Sequence, residues 1–173
     1  MNKIKIVNKK AEKVATEIYK EINSLMPSIV ELIGWVEEKI KSKINISYID
    51  LDGFKTSGAV YFEPKMNCFQ IWINSKDFEL RQRFTICHEI GHIIKNFNLK
   101  YDFSSNVEFS GNGEERFCDR FAAAFLMPAE LFIYKWNSIK DPIYLKKVRL
   151  TNVFKVSGEA VYYRAKELGL IFE

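Results

Sequence analysis

Only two histidines occur in the 173-residue chain, and both fall in one five-residue string, His88-Glu89-Ile90-Gly91-His92. Residues four apart share a face of a helix. Two imidazoles so placed can grip one metal ion, and the glutamate beside the first can reach a water on it. This is the HExxH pattern of zinc hydrolases. The spacing requires a helix here and a further ligand from elsewhere, because a catalytic zinc takes three protein ligands and keeps a position for water.

The flanking residues suit a helix over Ser75 to Phe97. Asn74 or Ser75 can cap its start, and Asp77 and Glu79 suit the positive end of its dipole. Phe78, Ile86, Ile90, Ile93 and Phe97 recur at helical spacing. Gly91 is costly inside a helix but lets another segment approach closely; simple tolerance is the plainer alternative. The best third ligand lies in a second helical run, Glu114 to Pro128, where Phe117, Phe121, Ala124, Phe125 and Met127 make an apolar face. Glu115 and Asp119 are one turn apart and point the same way. The expectation is that Glu115 binds the metal while Asp119 holds a ligand histidine by its other ring nitrogen. The alternative is an acidic helix start where Glu114 and Glu115 merely suit the dipole, and Glu114 is not expected to bear on metal binding.

The segment Arg83-Phe84-Thr85-Ile86-Cys87-His88-Glu89-Ile90-Gly91-His92 resembles the RFTLAHELGH-like signature of the ImmA/IrrE metallopeptidase family. Glu115, Cys118, Asp119, Phe121-Ala122-Ala123 and Leu126-Met127-Pro128 resemble that family's second motif, ExxAN-x-FAAELLMP. Cys118 stands for the usual alanine, Asp119 for a common asparagine and Ala124 for a frequent glutamate. The resemblance is strongest from Arg81 to Pro128. It implies a zincin-like core, a small sheet directly before the HExxH helix, a Zn2+ cofactor and a C-terminal helix-turn-helix module. It also implies a narrow substrate, a helix-turn-helix transcriptional repressor of a mobile element or a stress response.

The rest of the chain bounds the reading. Hydrophobic residues make up 47% of it, enough for a packed core, and the net charge of +4 does not by itself imply nucleic acid. Cys68, Cys87 and Cys118 are odd in number and widely spaced, which argues against a disulfide framework and for a reduced, cytoplasmic chain. Cys87 and Cys118 could also be stray metal ligands or redox triggers. No leader or membrane span is expected. Ala11, Val14, Ala15, Ile18, Ile22 and Leu25 predict an N-terminal helix interrupted at Pro27, and a second helix covers Ser28 to Lys41. Ile44–Ile49, Ala59–Phe62 and Cys68–Ile73 alternate like strands, the last two joined by a turn at Glu63–Asn67. Residues 102–113 read as a loop near the metal. Asp141-Pro142 reads as a cap and first-turn proline, and Leu150 to Leu170 as a helix pair with Ser157 as cap.

The fold expected is α+β, mainly helical, with a largely antiparallel three-stranded sheet. A zincin-like metallopeptidase domain covers 1–140, and a helix-turn-helix-like segment, 141–173, packs on it. The expected function is zinc-dependent hydrolysis of a peptide bond in a protein substrate, with His88, His92 and Glu115 as ligands and Glu89 as general base. Tyr61, Tyr101, Tyr134 and Arg116 all stay open as stabilisers of the oxyanion. The rival expectation is a non-catalytic metal-binding regulator that binds a repressor or DNA, against which Glu89 counts.

Overall fold

The N-terminal helix α1 (Lys3–Ile22) buries Val7, Ala11, Val14, Ala15 and Ile18, one apolar stripe at helical spacing. In a computed structural model, which describes residues 3–103 and 110–171, a short turn then leads to α2 (Ile29–Ile40). Ser28 caps α2 reciprocally: its hydroxyl accepts from the Glu31 amide while the Glu31 carboxylate accepts from the Ser28 amide at 2.7 Å.

Three strands follow, β1 (Lys43–Ile49), β2 (Gly58–Glu63) and β3 (Cys68–Asn74), in the order β1-β3-β2. β2 pairs antiparallel with β3, from Gly58 opposite Ile73 to Glu63 opposite Cys68, through the expected turn. β1 runs parallel to β3, from Lys43 beside Cys68 to Ile49 beside Asn74. The sheet is therefore mixed, not largely antiparallel. The chain reverses twice between β1 and β3, so the two point the same way. β3 also takes the centre, because Cys68, Phe69, Ile71, Ile73 and Asn74 are buried while β2 is partly exposed. The most apolar strand belongs where both its edges are paired and its face is covered.

Helix α3 (Glu79–Asn96) packs on the sheet, and α4 (Asn112–Leu126) packs between α3 and α1. α3 starts later than expected. Its N-cap is Phe78, and Asn74 is spent elsewhere: its side chain accepts from the Leu51 and Lys76 amides and donates to Asp52. Phe117, Phe121 and Phe125 stack along α4 with centroids 6.2 and 6.0 Å apart. The Tyr19 hydroxyl of α1 meets the last carbonyls of α4, Ala124 and Phe125. Half of the expected 102–113 loop, residues 104–109, lies outside the described residues, and its last two residues, Asn112 and Gly113, already belong to α4.

Helices α5 (Ala129–Ser138), α6 (Ile143–Phe154) and α7 (Gly158–Glu167) complete the chain. Pro142 is the N-cap of α6, and Asp141 pairs instead with Arg149 at 2.7 Å. Three residues join α6 to α7, and the Ser157 hydroxyl accepts from the Ala160 amide as its cap. Leu150, Phe154, Val156, Val161 and Ala165 belong to the same buried cluster as α1, α3 and α4. Arg164, 1% exposed, clasps the ends of the fold together. Its guanidinium donates two 2.8 Å bonds to Glu12 of α1 and one of 3.0 Å to the Met127 carbonyl.

Candidate metal centre

Helix α3 carries His88, Glu89 and His92, and α4 carries Glu114, Glu115 and Asp119. Gly91 is where the two helices touch. A Cβ built there would lie 3.1 Å from the Cys118 Cα and 3.2 Å from its Cβ, so the bare glycine backbone allows the contact. This close approach sets the α4 carboxylates against the α3 imidazoles.

The His88 and His92 Nε2 atoms lie 3.3 Å apart. The Glu115 carboxylate reaches both, 3.3 Å from His88 Nε2 and 3.6 Å from His92 Nε2. A tetrahedral ion with bonds of about 2.0–2.2 Å sets its donors about 3.3–3.5 Å apart, so this donor set fits zinc. The other ring nitrogens are occupied. His88 Nδ1 lies 2.9 Å from Asp119, and His92 Nδ1 lies 2.9 Å from Glu114, which in turn accepts from Lys95 at 2.8 Å. A carboxylate only accepts, so each holds the ring proton on Nδ1 and leaves the Nε2 lone pair facing the shared point.

Cys118 also comes close. The ligand atoms of His88, His92 and Cys118 lie within 4.8 Å of one another, so these three could hold a metal as well. Glu115 lies 3.3 and 3.6 Å from the two Nε2 atoms and is open to the cleft. Cys118 is buried, and desolvation, reinforced by the neighbouring acidic groups, drives its thiol pKa far up. A thiol must lose its proton to ligate, and burial opposes that loss at Cys118.

Electrostatics differ sharply among the acids. Burial is the main influence on Glu89 and raises its pKa, partly opposed by the two imidazoles. Among the described residues nothing hydrogen-bonds to its carboxylate. Glu114 is lowered: burial acts upward, but bonds from Lys95 and His92 outweigh it. His88 is raised in the metal-free chain. Burial pulls it down, yet the Asp119 bond and the charges of Asp119, Glu89 and Glu115 prevail.

These side chains line a cleft of about 740 Å³. Its walls are the start of β2 at Thr56–Gly58, the first turns of α3, and α7. Gly58 stands directly over the site, where a Cβ would lie 2.4 Å from Thr85 Cγ2 and 3.1 Å from Glu89 Oε1. Of the sequence candidates, His88, Glu89, His92, Glu115 and Asp119 come together. Tyr61, Tyr101, Tyr134 and Arg116 are not among the cleft residues, whereas Arg81, Arg120 and Tyr163 are. Sequence reading assigned Glu114 to the dipole alone and missed its bond to His92. Its place beside Glu115 at a helix start hides that role, although the i,i+3 spacing of His92 and Lys95 was a usable signal.

The sequence model of the M78 peptidase family, described as the IrrE N-terminal-like domain, matches residues 41–166. The chain belongs to this family. Membership points to a metallopeptidase-like or regulatory role, and the matched span runs from before β1 into the last turn of α7. No curated protein matches the chain. The IrrE-like chain is similar in fold to a Mycobacterium tuberculosis transcriptional regulator of solved structure. The TM-score is 0.58 at 15% identity, over 95% of this chain and 51% of that one. The chain thus spans about half the length of that protein. Among the described residues no helix is long and apolar enough to cross a membrane.

Proposed function

We propose that this chain is a zinc-dependent endopeptidase in which His88, His92 and Glu115 hold the metal and Asp119 orients His88. The observation that carries the reading is the convergence of two Nε2 atoms and a carboxylate at 3.3–3.6 Å beside the buried Glu89 carboxylate, to which nothing hydrogen-bonds among the described residues. Zinc in such a site supplies polarisation of the scissile carbonyl and acidification of water. The protein's own groups supply the proton traffic. Glu89 takes the proton of the attacking water and passes it to the nitrogen of the leaving amine. The burial that raises Glu89 makes its carboxylate a stronger base and so favours the first transfer.

The finer assignment is a zincin-like body over 1–140 with a helix-turn-helix-like segment, 141–173, packed on it. The substrate is a helix-turn-helix transcriptional repressor, and the chain acts in the cytoplasm. Family membership and the structural likeness to a transcriptional regulator support that setting. The second reading, a metal-binding regulator without catalysis, draws support from the same likeness. Glu89→Gln separates the two. It keeps the size of the side chain and removes the base, so zinc content persists while release of two fragments from the cognate repressor falls about 10²- to 10⁴-fold. Wild-type cleavage by Glu89→Gln overturns the catalytic assignment. If no fragment is released by either protein and Glu89→Gln still switches the target genes, the regulator reading stands instead.

A further inference from the structure

Two large aromatic side chains stand open to solvent in the wall of the cleft. Phe78 is 61% exposed and Tyr163 is 52% exposed, and both line the cavity that contains His88 and Glu89. Phe78 occupies the N-cap of α3 and makes no capping bond. Ser, Thr, Asp or Asn would satisfy a free amide there. A local rule broken without structural gain points to function. Leu80, Phe84 and Ala160 continue the same apolar lining.

Tyr163 sits beside the clasp residue Arg164, and α7 is held on both flanks. Arg164 binds Glu12, and the Arg83 Nε donates to the Lys155 carbonyl at 3.2 Å, fixing the turn that leads into α7. The helix that carries Tyr163 is therefore anchored at its start and in its middle. The neighbouring wall is the start of β2, an edge strand whose outer side pairs with no other strand among the described residues; the Gly58 carbonyl there accepts from Thr56 Oγ1, and the strand beyond it suits an extended chain. Gly58 presents no side chain there. An edge strand beside an apolar pocket, both bordering the metal centre, defines one occupant: an extended peptide with a bulky apolar side chain next to the scissile bond.

We propose that Phe78 and Tyr163 form the specificity pocket for that side chain, so that α7 reads the substrate within the cleft. This rests on the peptidase reading. The test uses the zinc-loaded full chain and two hydroxamate probes, one bearing an isobutyl side chain and one bearing none. A hydroxamate anchors on the metal and directs its side chain into the adjoining pocket. The wild-type chain should bind the isobutyl probe about 10- to 100-fold more tightly, the range an apolar pocket gives. Tyr163→Ala and Phe78→Ser should each pull that ratio toward one. Phe78→Ser installs a good cap, so a collapsed ratio cannot come from a weakened helix. Equal weakening of both probes, with the ratio kept, overturns the pocket, as does a wild-type ratio near one. Failure of both probes to bind the zinc-loaded chain refutes the peptidase reading and the pocket together. A Tyr163→Ala variant that loses duplex DNA in a gel shift while keeping the ratio assigns α7 to nucleic acid and overturns the proposal.

Discussion

Gly91→Ala tests whether the close approach of α3 and α4 makes the metal centre. The new methyl would sit 3.1 Å from Cys118 Cα, 3.2 Å from its Cβ and 3.3 Å from its Sγ. Comfortable carbon contacts lie at about 3.5–4.0 Å, so the helices must part by about half an ångström. Two terms then compete in stability. Alanine gains about 1 kcal/mol over glycine in a helix. Overpacking a tight contact costs about 1–3 kcal/mol. The expected net change in the metal-free chain is a loss of about 0–2 kcal/mol, read by urea unfolding. The effect on metal should be larger. Glu115 on α4 and the imidazoles on α3 would separate beyond 3.3–3.6 Å, and sites tolerate only about 0.5 Å of misplacement. Competition with a chromophoric chelator should show zinc affinity down at least about tenfold. Adding Cys118→Ala removes Sγ but keeps Cα and Cβ, so it should rescue only partly. A Gly91→Ala chain that gains about 1 kcal/mol and binds zinc like wild type would refute the reasoning, because Glu115 could then not depend on this contact.

Three further outcomes follow from particular contacts. Glu114→Ala should lower zinc affinity about 10- to 100-fold in the same chelator assay, because His92 loses the acceptor that fixes its tautomer; an unchanged affinity would remove Glu114 from the site. Arg164→Met should cost about 3 kcal/mol in urea unfolding, the low end for a broken buried ion pair because Glu12 keeps contact with water, and adding Glu12→Gln should restore part of it. In the metal-free chain the His88 ring should titrate above its ordinary 6.5, followed by NMR, and Asp119→Asn should bring it down. A raised folded value means that this stabilisation is full below pH 6.5 and is lost as pH rises through the folded value, while zinc affinity climbs over the same range as the proton leaves.

Much of this was legible in the chain before folding. The i,i+4 histidines fixed a helix face, and the one-turn spacing of Glu115 and Asp119 put both on the side that meets it. The apolar stripe of α4 marked its buried face correctly. The parallel pairing of β1 with β3 was not legible, because alternation reads the same in either direction and only the burial of β3 decides which strand is central. Asn74 looked like a cap because its side chain is a good one; the competing loop amides at Leu51 and Lys76 are distant or irregular in sequence. Arg164 falls at an interior position of its helix, and only the fold reveals Glu12 as its partner.

The clasp between α7 and α1 also shapes how long the native state lasts. His88 meets Asp119 across 31 residues, whereas Arg164 meets Glu12 across 152. Closing the longer loop costs about 1.4 kcal/mol more in chain entropy. The longer contact is therefore expected to form after the shorter one. Interactions made after the folding barrier change the rate of unfolding and leave the rate of folding nearly untouched. Arg164 is then a latch on lifetime: Arg164→Met is expected to speed unfolding while leaving the folding rate nearly unchanged, read by stopped-flow urea jumps.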